Sequence, residues 1–178
     1  MSAEDLTTQD PATTVDDRPE PPDTGNEREI LCGFLDFLRA SAVFKARGLS
    51  DADAARRLLP SLTTVSGLLR HLADVERVWF RERLDGQPGV PTRWSDDEPE
   101  GEFLVGPGDS LAGIIQDYEK ACAESREVLS RYELDDPCLA SPAGHNVRWV
   151  VTHMIEETGR HCGHLDIVRE LLDGTTGE

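Results

Sequence analysis

The strongest constraint on the fold is a set of four long segments whose apolar residues recur at helical spacing. They cover residues 27–47, 65–84, 110–132 and 147–172. Each segment has an apolar stripe flanked by polar residues, which is the pattern of an amphipathic helix that buries one face. No segment shows the alternation of a half-buried strand. The sequence therefore predicts an all-α fold, a four-helix bundle with a short additional helix at 50–59.

Two connections between the predicted helices are long and rich in proline and glycine, at 85–108 and 133–145. Irregular connections of this length inside a small domain are commonly functional covers or disordered segments. Trp94 and Phe103 give the first of them apolar anchors, so we expect this loop to fold onto the bundle. With long inter-helix loops, the helix order need not be simple up-down-up-down.

The N-terminal part of the chain differs from the rest in composition. Residues 1–23 are acidic, rich in proline and threonine, and nearly free of large apolar side chains. Such a segment has too little apolar surface to offset the entropy lost on folding. We therefore predict a disordered tail over 1–23 and one helical bundle domain over 24–178, a length that suffices for a single well-packed core.

Charge and composition exclude several classes of protein. The formal net charge of -17 argues against binding to nucleic acid phosphates and to anionic membrane surfaces. No stretch approaches the roughly 20 apolar residues of a membrane span, and the N-terminus lacks a secretion signal. The four cysteines form no Cys-x-x-Cys pair. We therefore expect a cytoplasmic protein that has neither nucleic acid nor membrane as a partner.

The last predicted helix carries the residues with the most chemistry. Glu157, His161 and His164 fall at i, i+4 and i+7, so the three side chains point the same way and border the apolar stripe. A carboxylate near the interior of a bundle must be paired or must ligate a metal, because burying it alone is costly. Arg148 and Arg160 lie near in sequence and provide the pairing alternative.

Metal binding is the second interpretation of the same residues. His71 lies on the buried stripe of the 65–84 helix, and bundles build metal sites from inward residues on facing helices. His71 with a Glu and His pair would supply three protein ligands and leave a fourth position open, as in catalytic zinc sites. The spacing alone leaves the salt bridge and the metal site both open.

Two motifs carry a family resemblance. Leu-Leu-Arg-His-Leu-Ala-Asp-Val-Glu at 68–76 and Met-Ile-Glu-Glu-Thr-Gly-Arg-His-Cys-Gly-His-Leu-Asp at 154–166 resemble helices two and four of the DinB-like superfamily. The second motif is close to an actinobacterial branch of that superfamily, and the resemblance covers about 27–173. It implies a DinB-type four-helix bundle that holds a divalent metal between these two helices. Zinc is the first expectation, with nickel or iron as alternatives.

The resemblance also implies a ligand set and a reaction class. Many DinB-like proteins use three histidines, whereas the residue four positions before His161 is here Glu157. The mycothiol-dependent maleylpyruvate isomerases, which are similar in this domain, use a His, Glu, His triad. Carried over, the ligands are His71, Glu157 and His161. Such relatives activate a low-molecular-weight thiol such as mycothiol for transfer to, or isomerisation of, a small electrophilic substrate.

Other side chains near these motifs are assigned lesser roles. His164 has three interpretations, as an alternative metal ligand, as a side chain that orients a ligand, or as a solvated or packed histidine. His153 lies four residues before Glu157, and we expect it to pack beside the site. Arg148, Arg160 and Trp94 are candidates for thiol or substrate binding, with surface salt bridges as the alternative for the two arginines.

Three functional hypotheses follow from the sequence. The first is a metal-dependent enzyme acting on a thiol and an electrophile. The second is a stress-associated bundle that binds a metal without turnover. The third is a purely structural bundle, as a monomer or a homodimer, in which Glu157 forms a salt bridge.

Overall fold

The computed structural model describes residues 16–177. The regular secondary structure in this stretch is helical, apart from an isolated bridge between Pro137 and Asn146. The prediction of an all-α fold is confirmed. The five α-helices are α1 (Glu27–Ala46), α2 (Asp51–Ala54), α3 (Val65–Glu76), α4 (Leu111–Leu129) and α5 (Val147–Asp173). No helix in the described part of the chain combines the length and apolarity that a membrane span needs.

The helix starts are set by capping side chains. Asn26 caps α1 in a capping box, in which its side chain accepts from the Glu29 amide at 3.0 Å and Glu29 accepts from the Asn26 amide at 2.9 Å. Thr64, Ser110 and Asn146 cap α3, α4 and α5 in the same position of their helices. Polar side chains in the sequence therefore fix where each long helix begins.

The second long segment is not one continuous α-helix. The α-helical turns end at Glu76, and Arg77–Leu84 continues the rod as a π-helix. The amide of Asp85 donates to the carbonyl of Phe80, five residues earlier, which is the wide-turn pattern. The predicted helix over 65–84 is confirmed in its extent, but its change to π-type turns after Glu76 was not predicted, because apolar spacing does not distinguish the two kinds of turn. The short helix is also shorter than the predicted 50–59.

The four long helical rods pack in pairs around two apolar clusters. The main pairs are α1 with α5 and α3 with α4. One cluster includes Leu68, Leu72 and Leu165, and the other includes Phe80 and Met154. Contacts between α3 and α5 close the bundle along a third seam, and this seam carries the predicted chemistry.

A buried ion pair joins α1 to α3 in the interior. The Arg39 guanidinium donates Nε to Oε1 of Glu76 at 2.7 Å and Nη2 to Oε2 at 2.6 Å. The Arg39 side chain is 4% exposed and the Glu76 side chain is fully buried. Both carboxylate oxygens are thus satisfied by one fork of N–H donors.

The loop over 85–108 folds onto α3 and α4, as its apolar anchors predict. The Arg93 amide donates to Oδ2 of Asp74 at 2.8 Å, and Arg93 Nη2 donates to Oδ2 of Asp117 at 2.5 Å. Further along the loop, Gly101–Phe103 forms one turn of 3₁₀-helix that packs on α3. This turn is the part of the loop that reaches the predicted site.

Of the predicted N-terminal tail, residues 1–15 lie outside the described residues. Residues 16–23 have no regular secondary structure, and Arg18 anchors them on α1. The Arg18 guanidinium lies over the rings of Phe37 and Phe44, at 5.1 and 4.9 Å from their centroids, and donates to the Ser41 hydroxyl at 3.2 Å.

Candidate metal centre

Three potential donor atoms converge across the seam between α3 and α5. His71 comes from α3, and Glu157 and His161 come from consecutive turns of α5. Nε2 of His71 and Nε2 of His161 each lie 3.1 Å from Oε1 of Glu157. One donor atom from each residue lies within 4.8 Å of the others. The structure thus brings together the three residues that the sequence singles out.

The spacing of these atoms fits a divalent cation. In a tetrahedral zinc site with bonds of about 2.0–2.1 Å, neighbouring donor atoms are about 3.3 Å apart. The two measured nitrogen-to-oxygen distances of 3.1 Å are close to that value. Two imidazole nitrogens and one carboxylate oxygen also form a donor set that zinc and nickel accept readily.

The far side of each imidazole faces a polar group that can orient it. Nδ1 of His71 lies 3.4 Å from Oε1 of Glu102, and Nδ1 of His161 lies 3.3 Å from Nδ1 of His164. Metal-ligating histidines usually give their second ring N–H to such a partner, which fixes the tautomer. Both rings therefore have a partner on the side opposite Glu157.

Glu102 is a site residue that the sequence prediction missed. It lies in the 3₁₀ turn, is 6% exposed, and keeps Oε2 buried without a hydrogen-bond partner among residues 16–177. It belongs to an irregular loop, so no periodicity marks it. The only signal is its neighbour Phe103, which the sequence identifies as an apolar anchor.

The 3₁₀ turn forms a cover against one face of His71. The Phe103 ring stacks on the His71 imidazole, with centroids 5.2 Å apart and planes 16° from parallel. Arg70 donates Nε to the Glu102 carbonyl at 3.0 Å, which holds the turn against α3. At Gly67, one turn before His71, an added Cβ would lie 3.2 Å from the Phe103 carbonyl oxygen. The absence of a side chain at Gly67 therefore permits this close approach.

The electrostatics keep Glu157 anionic. Hydrogen bonds from His161, and then from His71, hold the pKa of the Glu157 carboxyl well below its usual range, although partial burial acts in the opposite direction. Partial burial, followed by the neighbouring His161, lowers the pKa of His164. Glu157 is therefore charged at neutral pH, and a neutral His164 can accept a hydrogen bond from Nδ1 of His161.

Comparison with known proteins assigns the family. The family model of the mycothiol-S-transferases matches residues 30–174, which include the cover and all three donor residues. The chain belongs to the mycothiol-S-transferase family. This family is DinB-like, so the resemblance to the DinB-like superfamily is confirmed.

A solved structure shares the fold of this mycothiol-S-transferase family member. It is a conserved protein from Enterococcus faecalis, which matches with a TM-score of 0.61 and 15% sequence identity. The match covers 85% of this chain and 100% of the other. At this identity the likeness shows the fold alone. No curated protein matches the chain.

Two of the remaining predicted residues lie near the centre but away from Glu157 Oε1. Nδ1 of His164 lies 3.3 Å from Nδ1 of His161, on the side of that ring opposite Glu157. His153 lies one turn of α5 before Glu157, and its ring lies 4.6 Å from Trp79 and 5.1 Å from Trp149.

The three remaining candidates for substrate or thiol binding have other contacts. Arg148, at the start of α5, pairs with Glu27 at 2.7 Å and with Asp135. Arg160 pairs with Glu156 and has its Nη1 3.8 Å from Oε2 of Glu157. Trp94 makes no ring contact with the three donor residues. Of these three, only Arg160 lies at the centre, and binding roles for all of them stay predictions.

Proposed function

We propose that this protein is a metal-dependent S-transferase that activates mycothiol or a related small thiol for attack on a small electrophile. The proposed ligands of the metal, zinc first, are His71, Glu157 and His161. The observation that carries the proposal is the convergence of two imidazole Nε2 atoms on one carboxylate oxygen at 3.1 Å. Family membership supports the thiol as the co-substrate.

Proton positions explain why this convergence favours a cation. A neutral imidazole has one N–H and one lone pair. When Nδ1 of His71 donates to Glu102 and Nδ1 of His161 donates to His164, both Nε2 atoms present lone pairs to Glu157. Without a metal the other tautomer is available, in which the two Nε2–H groups donate to Glu157. A divalent cation would take the place of those protons between the two lone pairs and the carboxylate oxygen, and the anionic Glu157 would offset part of its charge.

The chemistry of the reaction is a substitution at carbon. When bound, a divalent metal supplies a Lewis-acid charge that lowers the pKa of a thiol and favours the nucleophilic thiolate. The thiol proton passes to solvent, the sulfur lone pair forms the new C–S bond, and the leaving group departs with the electrons of its bond to carbon. With an activated double bond, the sulfur adds and the adjacent carbon takes a proton, so no group leaves. Loss of the thiol after rotation about that bond would give isomerisation.

The protein itself supplies orientation and limits access of water. Glu102 and His164 lie behind the two imidazoles and can accept from Nδ1–H in the metal-binding tautomer, and Phe103 covers the outer face of His71. All four cysteines are free thiols, which is consistent with a reducing cytoplasm and with an external thiol as the nucleophile. The most buried of them, Cys122, has its pKa raised by burial, which disfavours a reactive thiolate of its own.

Metal analysis of the purified protein tests the ligand set. Protein prepared without chelator is expected to contain about one divalent ion per chain by elemental mass spectrometry. His71→Ala and Glu157→Gln are expected to lose it. Glu156→Gln is the matched control, because Glu156 is the adjacent carboxylate and its side chain is 51% exposed. Equal metal content in Glu157→Gln and Glu156→Gln would refute the proposed centre.

Turnover separates the enzyme from a metal-binding bundle without activity. Mycothiol is incubated with monobromobimane or 1-chloro-2,4-dinitrobenzene, and the rate is compared for metal-loaded and chelated protein. The expected result is a metal-dependent rate that His71→Ala lacks. Stoichiometric metal without any rate above background, across several thiols and electrophiles, would favour the non-catalytic alternative.

A further inference from the structure

Four charged side chains form a closed ring where the cover loop meets the bundle. We call them the charge quartet: Asp74 on α3, Arg77 in the π-helix, Arg93 in the loop and Asp117 on α4. Arg93 donates Nη1 to Asp74 and Nη2 to Asp117, both at 2.5 Å. Arg77 donates Nη1 to Asp74 at 3.2 Å and Nη2 to Asp117 at 2.5 Å. Each arginine therefore bridges both aspartates.

The charge quartet is better shielded from water than an ordinary surface ion pair. The Asp74 side chain is 1% exposed, and the Arg77 side chain is almost as deeply buried. Charge pairs in such surroundings are screened much less by water and salt than exposed pairs. The backbone amide of Arg93 adds a hydrogen bond to Oδ2 of Asp74 at 2.8 Å. Arg93 is thus held to α3 by its backbone and to both α3 and α4 by its side chain.

A close backbone contact joins the charge quartet to the cover. Gly101 approaches Arg93 so closely that an added Cβ would lie 2.2 Å from the Arg93 carbonyl oxygen. The chain between them folds on itself, because the amides of Ser95 and Gly101 both donate to the Glu98 carbonyl at 3.1 Å. Residues 93–101 are therefore one compact unit. Since Glu102 follows Gly101 directly, the place of Arg93 determines the place of Glu102.

The contact between Glu102 and His71 is sensitive to small displacements. Oε1 of Glu102 lies 3.4 Å from Nδ1 of His71, which is near the outer limit of a hydrogen bond. Oε2 of Glu102 has no hydrogen-bond partner within residues 16–177, so no second bond holds the carboxylate in place. A shift of a few tenths of an ångström away from α3 is enough to break the contact with His71.

We propose that Arg93 is a positioning residue for the metal centre, which it serves from outside the donor set. It fastens the loop to the helix that carries His71, since Asp74 lies three residues after His71 on α3. It thereby keeps Glu102 within hydrogen-bond reach of Nδ1 of His71. The consequence for metal affinity rests on the proposed function, whereas the placement of Glu102 does not.

The His71 ring reports this role without any metal. The 15N chemical shift of Nδ1 of His71 is measured by NMR in the metal-free full chain at one pH. Arg93→Ala is expected to move this shift in the same direction as Glu102→Gln does. Arg93→Lys keeps a positive charge between the two aspartates but not the planar fork, so its shift should lie between those of Arg93→Ala and the wild type.

Arg126→Ala is the matched control for this measurement. Arg126 also forms an ion pair between elements, donating Nε to Asp36 at 2.9 Å, but it joins α4 to α1 instead of joining the loop to α3. The Nδ1 shift of His71 should stay at its wild-type value in this variant. The inference is overturned if Arg93→Ala leaves that shift unchanged, or if Arg126→Ala moves it equally.

A double-mutant cycle with cobalt(II) as the probe tests the route through Glu102. Arg93→Ala is expected to weaken cobalt binding about three- to tenfold, which is less than the 10- to 100-fold usual for the partner of a ligating histidine, because the amide at position 93 still donates to Asp74. In the Glu102→Gln background the same substitution should change affinity less than about twofold, since the contact is already lost.

The outcomes of the cycle separate the inference from the proposed function. If the losses from Arg93→Ala and Glu102→Gln multiply in full, Arg93 does not act through Glu102 and the inference is overturned. If the wild type binds no cobalt, the proposed metal centre fails. The Nδ1 shift of His71 then still decides whether Arg93 positions Glu102.

Discussion

Glu76 and Glu157 each form hydrogen bonds to a residue of another helix, but the two carboxylates have different partners. Glu76 is fully buried, and the fork of Arg39 satisfies both of its oxygens at 2.6–2.7 Å. Glu157 is 13% exposed and shares one oxygen between two imidazole nitrogens at 3.1 Å. The first carboxylate has a permanently charged donor on both oxygens, whereas the partners of the second are imidazoles that can present either an N–H or a lone pair.

The two sites also differ in whether their charge can change. Burial opposes the charge of Arg39, but the adjacent Glu76 carboxylate outweighs it, and the pKa of Arg39 is raised further above neutrality. The Arg39 guanidinium therefore stays charged throughout the pH range in which the protein is folded. Imidazoles, in contrast, exchange a proton for a metal ion near neutral pH. The Arg39–Glu76 pair, whose carboxylate oxygens both have donors, therefore stabilises the bundle. The Glu157 site, whose partners are imidazoles, can instead bind a ligand.

Arg39→Met is expected to have the largest effect on stability. It leaves Glu76 buried without a counter-charge, which costs about 3–5 kcal/mol of the free energy of unfolding. Urea denaturation measures the change. The double variant Arg39→Met/Glu76→Leu should recover most of the loss, since apolar pairs often replace buried ion pairs well. A loss below about 1 kcal/mol in the single variant would contradict the assignment of this pair as a closed structural element.

The metal centre should stabilise the protein only when a metal is present. With free zinc at 100 times its dissociation constant, the free energy of unfolding is expected to rise by about 2.7 kcal/mol. The increase should appear as a higher Tm in the wild type and in Glu156→Gln, and it should be absent in Glu157→Gln. A zinc-dependent rise of equal size in Glu157→Gln would mean that the ion binds elsewhere.

The residues behind the imidazoles should affect affinity less than the ligands do. Glu102→Gln is expected to weaken metal binding about 10- to 100-fold, because His71 loses the carboxylate that orients it. His164→Ala should have a smaller effect, since His164 is mostly solvent-exposed. Competition with a chromophoric chelator measures both. Glu98→Gln, an exposed carboxylate of the same loop, serves as the control and should bind metal as the wild type does.

The smallest expected effect is that of Arg93→Ala on the cover loop. Asp74 keeps its second partner Arg77 at 3.2 Å, so the loss of stability should be about 0.2–1 kcal/mol. Amide hydrogen exchange should become faster within Gly101–Phe103, because the loop loses the guanidinium contacts to Asp74 and Asp117 and keeps only the Arg93 amide bond to Asp74. Unchanged exchange there would show that Phe103 and Arg70 hold the cover without Arg93.

Much of the site follows from the sequence because helices repeat regularly. The interval between Glu157 and His161 places both on one face, and the buried stripe of α3 directs His71 toward them. The same rule also applies to Trp149 and His153, which precede Glu157 at the same interval. Of these two, the sequence prediction included His153 and missed Trp149, because an indole offers no metal-binding atom.

Other features could not be read from local patterns. Glu102 lies 31 residues after His71, in an irregular loop. Its contact with His71 depends on how Arg93 anchors that loop and on tertiary packing. The π-helix over Arg77–Leu84 places Trp79 against α5, and no apolar spacing separates its wide turns from α-helical ones. Both depend on contacts between elements rather than on the order of residues within one.

Gly67 offers no donor atom, yet it sets the distance between the cover and the proposed metal centre. The cover stands as close to α3 as it does because position 67 lacks a methyl group, which would lie 3.2 Å from the Phe103 carbonyl oxygen. Glu102 precedes Phe103 directly, so a shift of a few tenths of an ångström in one moves the other relative to Nδ1 of His71. Position 67 is thus a spacer. We expect a relative with alanine there to keep all three donor residues and to bind a metal ion more weakly.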